Sequence, residues 1–366
     1  MGFGGTNHSW AKVHWELAKA AKQNNHEVDF FSTDGKDLIP EDLQSNLIGW
    51  RKGSTTIVRP MQTNYDMQIS YTAPINWKDY LSNGKVNRMG IWCYEFPYIP
   101  FSFAKNHVYT DKILAPSKFA RDGFLTAGVP ADKVTVIPHG VNSLTDQQKE
   151  LVVPYSVKSK KRFKILLLIG QPHLRKGIVE SFEAYMKAFT NKDDVVLLAK
   201  IQLSNKPQGH EIDVVKELNK LKIKYPNHAE IELITSFIPD IDGLFKVADC
   251  CFSMTRCEAF WMPGLECQQW GCVPVVGAYG GQLDFLDATN SILLPGKEVK
   301  ADLQAQYWSP DIRNGWFKTD MEAAVLALRN LYHDPFIKKM LSEGMSATTS
   351  KYTWINAFKQ IEGLCG

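Results

Sequence analysis

The stretch Arg256-Cys257-Glu258-Ala259-Phe260-Trp261-Met262-Pro263-Gly264-Leu265-Glu266 decides the fold. It carries two glutamates, Glu258 and Glu266, with seven residues between them. An apolar run from Asp249 to Met254 leads in and reads as a strand. Leu265 to Trp270 reads as a helix, Gly271 and Pro274 punctuate, and Val273-Pro274-Val275-Val276 reads as the next strand. Glu258 then falls in a loop at a strand's C-terminal end, and Glu266 in the first turns of the helix that follows. Open α/β sheets take their ligands at that edge.

The chemistry of such an edge is specific. Backbone N–H groups and the positive end of a helix dipole suit a phosphate. Two carboxylates accept hydrogen bonds from hydroxyls. A phosphorylated, hydroxyl-rich ligand such as a sugar nucleotide fits both. The plain alternative is two surface glutamates beside a core helix.

Working outward, the chain before this stretch alternates strands and helices. Phe163–Ile169 is a buried strand, followed by Gly170-Gln171-Pro172-His173-Leu174-Arg175-Lys176-Gly177 and a helix over Ile178–Phe189. Two cations directly before a helix start are electrostatically awkward, because the dipole there is already positive. An anion held between Arg175 and Lys176 would offset this; two solvent-facing cations are the alternative. A strand over Asp194–Ile201, a helix over Glu211–Lys224 and a strand over Ala229–Thr235 follow. Helices are expected over Met321–Tyr332 and Pro335–Ser342, and a last amphipathic helix runs to Leu364.

The first part reads less sharply. Gly4 and Gly5 lie in a glycine-rich loop with no strand before it, so the first strand of this domain is missing from the pattern. A helix over Trp10–Gln23 and strands over His26–Phe31, Thr55–Val58, Met67–Tyr71 and Ile91–Glu95 are expected. His107 lies in a short helical piece. Lys112–Pro116 is a strand, Ser117 an N-cap, and the helix it opens stops at Gly128. Lys133 to Asn142 is a strand and exit turn. Polar, lysine-rich sequence from Ser143 to Lys164 reads as a linker, and its basic run as a solvated face.

Composition sets bounds. The 366 residues suffice for two full cores, and 44% apolar, 22% charged residues and a net charge of +3 describe an ordinary globular protein. Seven cysteines are scattered without metal-ligand spacing and read as buried free thiols. No apolar run approaches the ~20 residues that span a bilayer, and no signal peptide is visible, so a cytoplasmic protein is expected, with peripheral membrane contact open.

The words Arg-x-Glu-x-Phe-x-x-Pro-x-x-Glu (256–266) and Gly-x-x-Pro-Val-Val (271–276) sit with Arg175-Lys176-Gly177, the block Ala115 to Asn142 and Gly280-Gly281-Gln282-Leu283-Asp284. Together they resemble the retaining glycosyltransferases of family 4, the group of bacterial glycogen synthases and phosphatidylinositol mannosyltransferases. The chain departs from them at Ala259 and Trp261, where the family usually has glycine, and at Gln171, where it usually has arginine. The resemblance implies an α/β GT-B fold, two facing Rossmann-like domains with a cleft between them. Residues 1–145 would bind the acceptor, 146–164 link, 165–345 bind the donor, and 346–366 cross back as a helix.

The resemblance further implies transfer of a hexosyl group from a UDP- or GDP-sugar to an acceptor hydroxyl with retention. Lys176 would reach the donor diphosphate, with Arg175 supplying the charge absent at Gln171. Glu258 would hold sugar hydroxyls and Glu266 the ribose. Phe237 and Ile238 would lie against the base, and the turn of Phe260, Trp261, Met262, Gly264 and Leu265 against the phosphates. Gly4, Gly5, Glu95 and His107 are acceptor-side candidates. No metal ligand set and no cofactor is expected, the nucleotide sugar being a substrate. The acceptor stays open among a glycan, a lipid-linked sugar, a protein, a metabolite and a modified nucleic-acid base. A sugar-nucleotide epimerase or phosphorylase, or an inactive sugar-nucleotide-binding protein, is the alternative.

Overall fold

The computed structural model describes residues 9–365 apart from 53–54, 59–64, 82–85, 204–206, 208, 239 and 303–310. Gly4 and Gly5 lie outside the described residues. The chain divides into two compact units, one of residues 1–142 with 352–366 and one of 143–351.

The second unit decides the architecture. Its strands are β8 (Phe163–Ile169), β9 (Val195–Ile201), β10 (Glu230–Ile234), β11 (Cys250–Ser253), β12 (Val273–Gly277) and β13 (Ile292–Leu294). They form one sheet in the order β10-β9-β8-β11-β12-β13, every neighbouring pair parallel. Numbered within the unit this is 3-2-1-4-5-6, the doubly wound dinucleotide-fold order. The sequence explains why. β8 (FKILLLI) and β9 (VVLLAKI) are nearly continuous apolar runs, as strands covered on both faces must be. The helix Ile178–Ala188 buries Phe182, Tyr185 and Met186 in the same core as Ile165, Leu167 and Leu197. Each such side chain contributes about 1.5–3 kcal/mol by leaving water. A two-stranded antiparallel hairpin, β14 (Gly296–Lys300) and β15 (Gly315–Thr319), follows β13.

The first unit holds β1 (Phe30–Ser32), β2 (Leu47–Lys52), β3 (Thr55–Val58), β4 (Met67–Tyr71), β5 (Asn87–Ile91), β6 (Lys112–Ala115) and β7 (Val134–Val136). β4-β5-β6-β7 is a parallel sheet; β1-β2-β3 is a second, mixed one. Ser117 Oγ accepts from Ala120 N–H at 3.1 Å and opens the helix Lys118–Thr126. The chain returns to this unit at Tyr352. Val141 N–H donates to Tyr352 O at 3.0 Å, and a Cβ on Gly140 would stand 2.3 Å from the Thr353 backbone, so only glycine allows the contact. The helix Trp354–Glu362 then buries Trp354, Phe358 and Ile361.

Three expectations change. The strand expected at Ile91–Glu95 is Asn87–Ile91; Trp92, Tyr94 and Glu95 are buried, but in the loop beyond it. The strand expected at His26–Phe31 is only Phe30–Ser32. Residues 146–164 are not a free linker. They begin with the helix Asp146–Leu151, closed by a Thr145/Gln148 capping box, and then dock on the second unit. Tyr155 N–H donates to Gly243 O at 2.9 Å, Lys246 Nζ to Val152 O at 2.8 Å, and Lys158 N–H to Glu232 Oε2 at 3.1 Å.

Candidate active site at the switch point of the second unit

In the order 3-2-1-4-5-6 the crossovers reverse between β8 and β11, and ligands of such sheets sit outside the carboxyl ends of those two strands. The loops that emerge there are 170–177 and 254–261. They carry Arg175 and Lys176 on one side and Glu258 on the other.

The two loops are bolted together through backbone. Arg256 N–H donates to Arg175 O at 2.7 Å. Ser181 Oγ accepts from Met254 N–H at 3.0 Å and donates to Gly177 O at 2.8 Å. Gly177 has φ +58°, and a Cβ there would lie 1.9 Å from Met254 O. Handedness and crowding both require glycine. On the far side, Gly281 N–H donates to Glu258 O at 2.8 Å.

This scaffold brings the three charged side chains into contact. Lys176 Nζ donates to Glu258 Oε1 at 2.7 Å, Arg175 Nη1 to Glu258 Oε2 at 3.1 Å and to Cys257 O at 3.0 Å. Thr255 Oγ1 also donates to Glu258 Oε1, at 2.8 Å. Glu258 and Arg175 are each only 5% exposed, whereas the Lys176 side chain keeps about a fifth of its surface. Burial pushes the Glu258 carboxyl up, but the charges of Lys176 and Arg175, with hydrogen bonds from Lys176 and Thr255, outweigh it and hold the group at about 2. It is a fixed carboxylate at neutral pH and no proton donor. The anion that the awkward Arg175-Lys176 pair called for is thus supplied by the protein, as Glu258. One positive charge is left over in the cluster.

The turn after Glu258 is buried at Phe260, Trp261, Met262, Leu265 and Glu266, with Pro263 half-buried between them. Glu266 is the last residue of the helix Met262–Glu266, which passes into a tighter turn over Cys267–Trp270. Trp261, standing where the family usually has glycine, adopts the glycine conformation anyway, with φ +60°. Its ring lies over Gly264, where a Cβ would be 2.2 Å from Trp261 Cε3. Ala259 has no positive φ. The turn offers fewer phosphate donors than expected, because Pro263 has no N–H and Gly264 N–H donates to Trp261 O at 3.0 Å.

Other expected residues stand apart. Phe237 is 60% exposed and Ile238 half-buried, beyond the end of β10, two strands from β8. Glu95 and His107 belong to the first unit. Glu95 is buried beside Tyr71 and Cys93, whose pKa values are raised chiefly by burial, with Glu95 adding to it. His107 is half-buried; burial and Lys133 lower its pKa.

Sequence reading missed Thr255, although it adjoins the deciding stretch, and His139. His139 is buried, its Nε2 3.4 Å from Cys93 Sγ, which is in turn 3.2 Å from Tyr71 Oη. These residues gather at or just beyond the C-terminal ends of β4, β5 and β7, an edge that no local word marks.

No protein-family profile matches the chain. A curated relative, named "Putative glycosyltransferase 45", from Sulfolobus islandicus filamentous virus, is 22% identical over 98% of this chain and 91% of its own. Among solved structures, a glycosyltransferase from Rickettsia africae superposes with a TM-score of 0.67 at 15% identity, over 97% of this chain and 93% of its own. Anabaena HepE, in complex with UDP and glucose, gives 0.68 at 13% identity, over 99% and 97%. The likeness shows the fold: two Rossmann-like α/β units, as in the GT-B glycosyltransferases. Among the described residues, no helix is long and apolar enough to cross a membrane.

Proposed function

We propose that the chain is a glycosyltransferase that moves a hexosyl group from a nucleotide diphosphate sugar to an acceptor hydroxyl with retention. The observation that carries this reading is the Arg175–Lys176–Glu258 cluster at the switch point of the second unit. The viral relative and the solved neighbours support the reaction class, and the UDP and glucose in HepE support a UDP-sugar as donor. Retention is supported by the likeness of the Arg256–Glu266 word to the retaining family.

In the transfer, the bond from the anomeric carbon to the diphosphate oxygen breaks, a bond to the acceptor oxygen forms, and the acceptor's proton leaves with the diphosphate. Charge builds on that diphosphate. Fixed cations in a site closed to water stabilise it without reorganising as it forms. Lys176, the more exposed cation, is the one placed to meet it. Arg175 is too enclosed to move far and holds Glu258 in place. Three of the roughly four acceptor directions of the Glu258 carboxylate are already filled. That leaves Glu258 chiefly to set the position of Lys176, with at most one hydrogen bond for a sugar hydroxyl. Glu266 is assigned to the ribose.

The test is release of free nucleoside diphosphate from a panel of UDP- and GDP-sugars, with and without acceptors drawn from glycans, lipid-linked sugars and small metabolites. Release that depends on one donor and rises with one acceptor is expected, with Glu258→Gln reducing turnover at least tenfold. No release from any donor would overturn the reading, and unchanged turnover in the variant would remove Glu258 from it. Product NMR of the anomeric proton then reads retention directly.

A further inference from the structure

We propose that His173, His210 and Glu211 form a binding site for a divalent transition-metal ion of the zinc type, beside the Arg175–Lys176–Glu258 cluster. One ligand atom from each of the three lies within 4.8 Å of the others. The backbone that carries them is already paired. His173 and Glu211 are antiparallel bridge partners, Leu174 N–H donates to His210 O at 2.8 Å, and Ile212 N–H to Pro172 O at 2.9 Å. The loop after β8 and the loop before the helix Val214–Lys224 are therefore held in register whether or not an ion is bound.

The donor set narrows the ion. Two imidazoles and one carboxylate are the ligands of open-site zinc, a set shared with open-site ferrous iron, and are neither the all-oxygen set of magnesium nor the thiolate set of softer ions. Zinc bonds of about 2.0–2.1 Å put tetrahedral ligands about 3.3 Å apart. His173 is buried and anchored, while His210 and Glu211 are half-buried and can close that distance by side-chain rotation. Arg175 and Lys176 oppose a further cation, but the Glu258 carboxylate between them and that of Glu211 offset this. A bound ion would add a side-chain link to this backbone pairing, beside the turn that presents Lys176. Spacing alone could not reveal the site, because His173 lies far in sequence from His210 and Glu211.

The test uses the full chain, stripped with a chelator and desalted, then titrated with Zn2+ by calorimetry at neutral pH. It does not depend on the proposed reaction, since the readout is ion binding. A single ion per chain with micromolar or tighter affinity is expected, and Co2+ in its place should give a visible d–d band. His210→Ala and Glu211→Gln should each weaken binding at least about tenfold, with circular dichroism spectra like the parent's. The chain has nine histidines, so binding that both variants leave unchanged would place the ion elsewhere and overturn the proposal. Absence of stoichiometric binding would overturn it too.

Discussion

Glu258→Gln probes the cluster most sharply because its cost follows from the structure by two routes. Removing one partner of a buried ion pair leaves the other charge uncompensated and costs about 3–5 kcal/mol. Arg175, at 5% exposure, is such a partner. Separately, holding a carboxyl at about 2 instead of its ordinary 4.5 stabilises the fold by about 3 kcal/mol, at 1.36 kcal/mol per decade. The second route also fixes a pH signature. The folded pKa is depressed, so the contribution is complete above about 4.5 and is lost as pH falls towards 2. Amide hydrogen exchange of β8 and β11 at neutral pH reports the second unit specifically, and should show that loss. The gap between parent and variant should narrow only below about pH 4.5. The double variant Glu258→Leu with Arg175→Met removes both buried charges and should cost less than Glu258→Gln alone. A Glu258→Gln variant within about 1 kcal/mol of the parent would refute the reasoning.

Three further outcomes are expected. Gly177→Ala combines a left-handed φ with a Cβ 1.9 Å from Met254 O, a backbone atom that cannot step aside; thermal unfolding should show a loss above about 2 kcal/mol. Trp261→Gly would relieve a left-handed strain of about 1–2 kcal/mol but forfeit a buried indole worth about 3–5. The packing term wins, so the variant should be less stable by about 2 kcal/mol in urea unfolding, despite restoring the usual glycine. His139 is buried with its pKa lowered by that burial to about 3. Its contribution is present above about 6.5 and declines as pH falls towards 3, so the parent should lose stability through that window. His139→Gln should lose less, as read by thermal unfolding at stepped pH.

The second unit was legible because its central strands β8 and β9 are near-continuous apolar runs. Phe163–Ile169 has the same bounds in sequence and structure, and the helix from Ile178 ends within a residue of expectation. The first unit was less so. β5 opens on the polar pair Asn87-Arg88, and the aromatic word after it is buried loop, so apolar character alone shifted the strand. The helix Asp146–Leu151 buries none of its residues, which left only the Thr145/Gln148 cap as a signal. At the site, Arg175, Lys176 and Glu258 were each visible as words. That they hold one another was not, because two loops far apart in sequence meet only at the switch point. His173, His210 and Glu211 escaped for the same reason.

The central claim is that Lys176, set in place by Glu258, meets the diphosphate of a nucleotide sugar. Isothermal titration of the parent and Lys176→Ala with UDP and GDP tests it most directly. The account predicts saturable binding of one nucleotide by the parent and a loss of about 10- to 100-fold in the variant, the worth of one hydrogen bond to a charged group. Equal affinity in the two proteins, or no binding of either nucleotide by the parent, would contradict it.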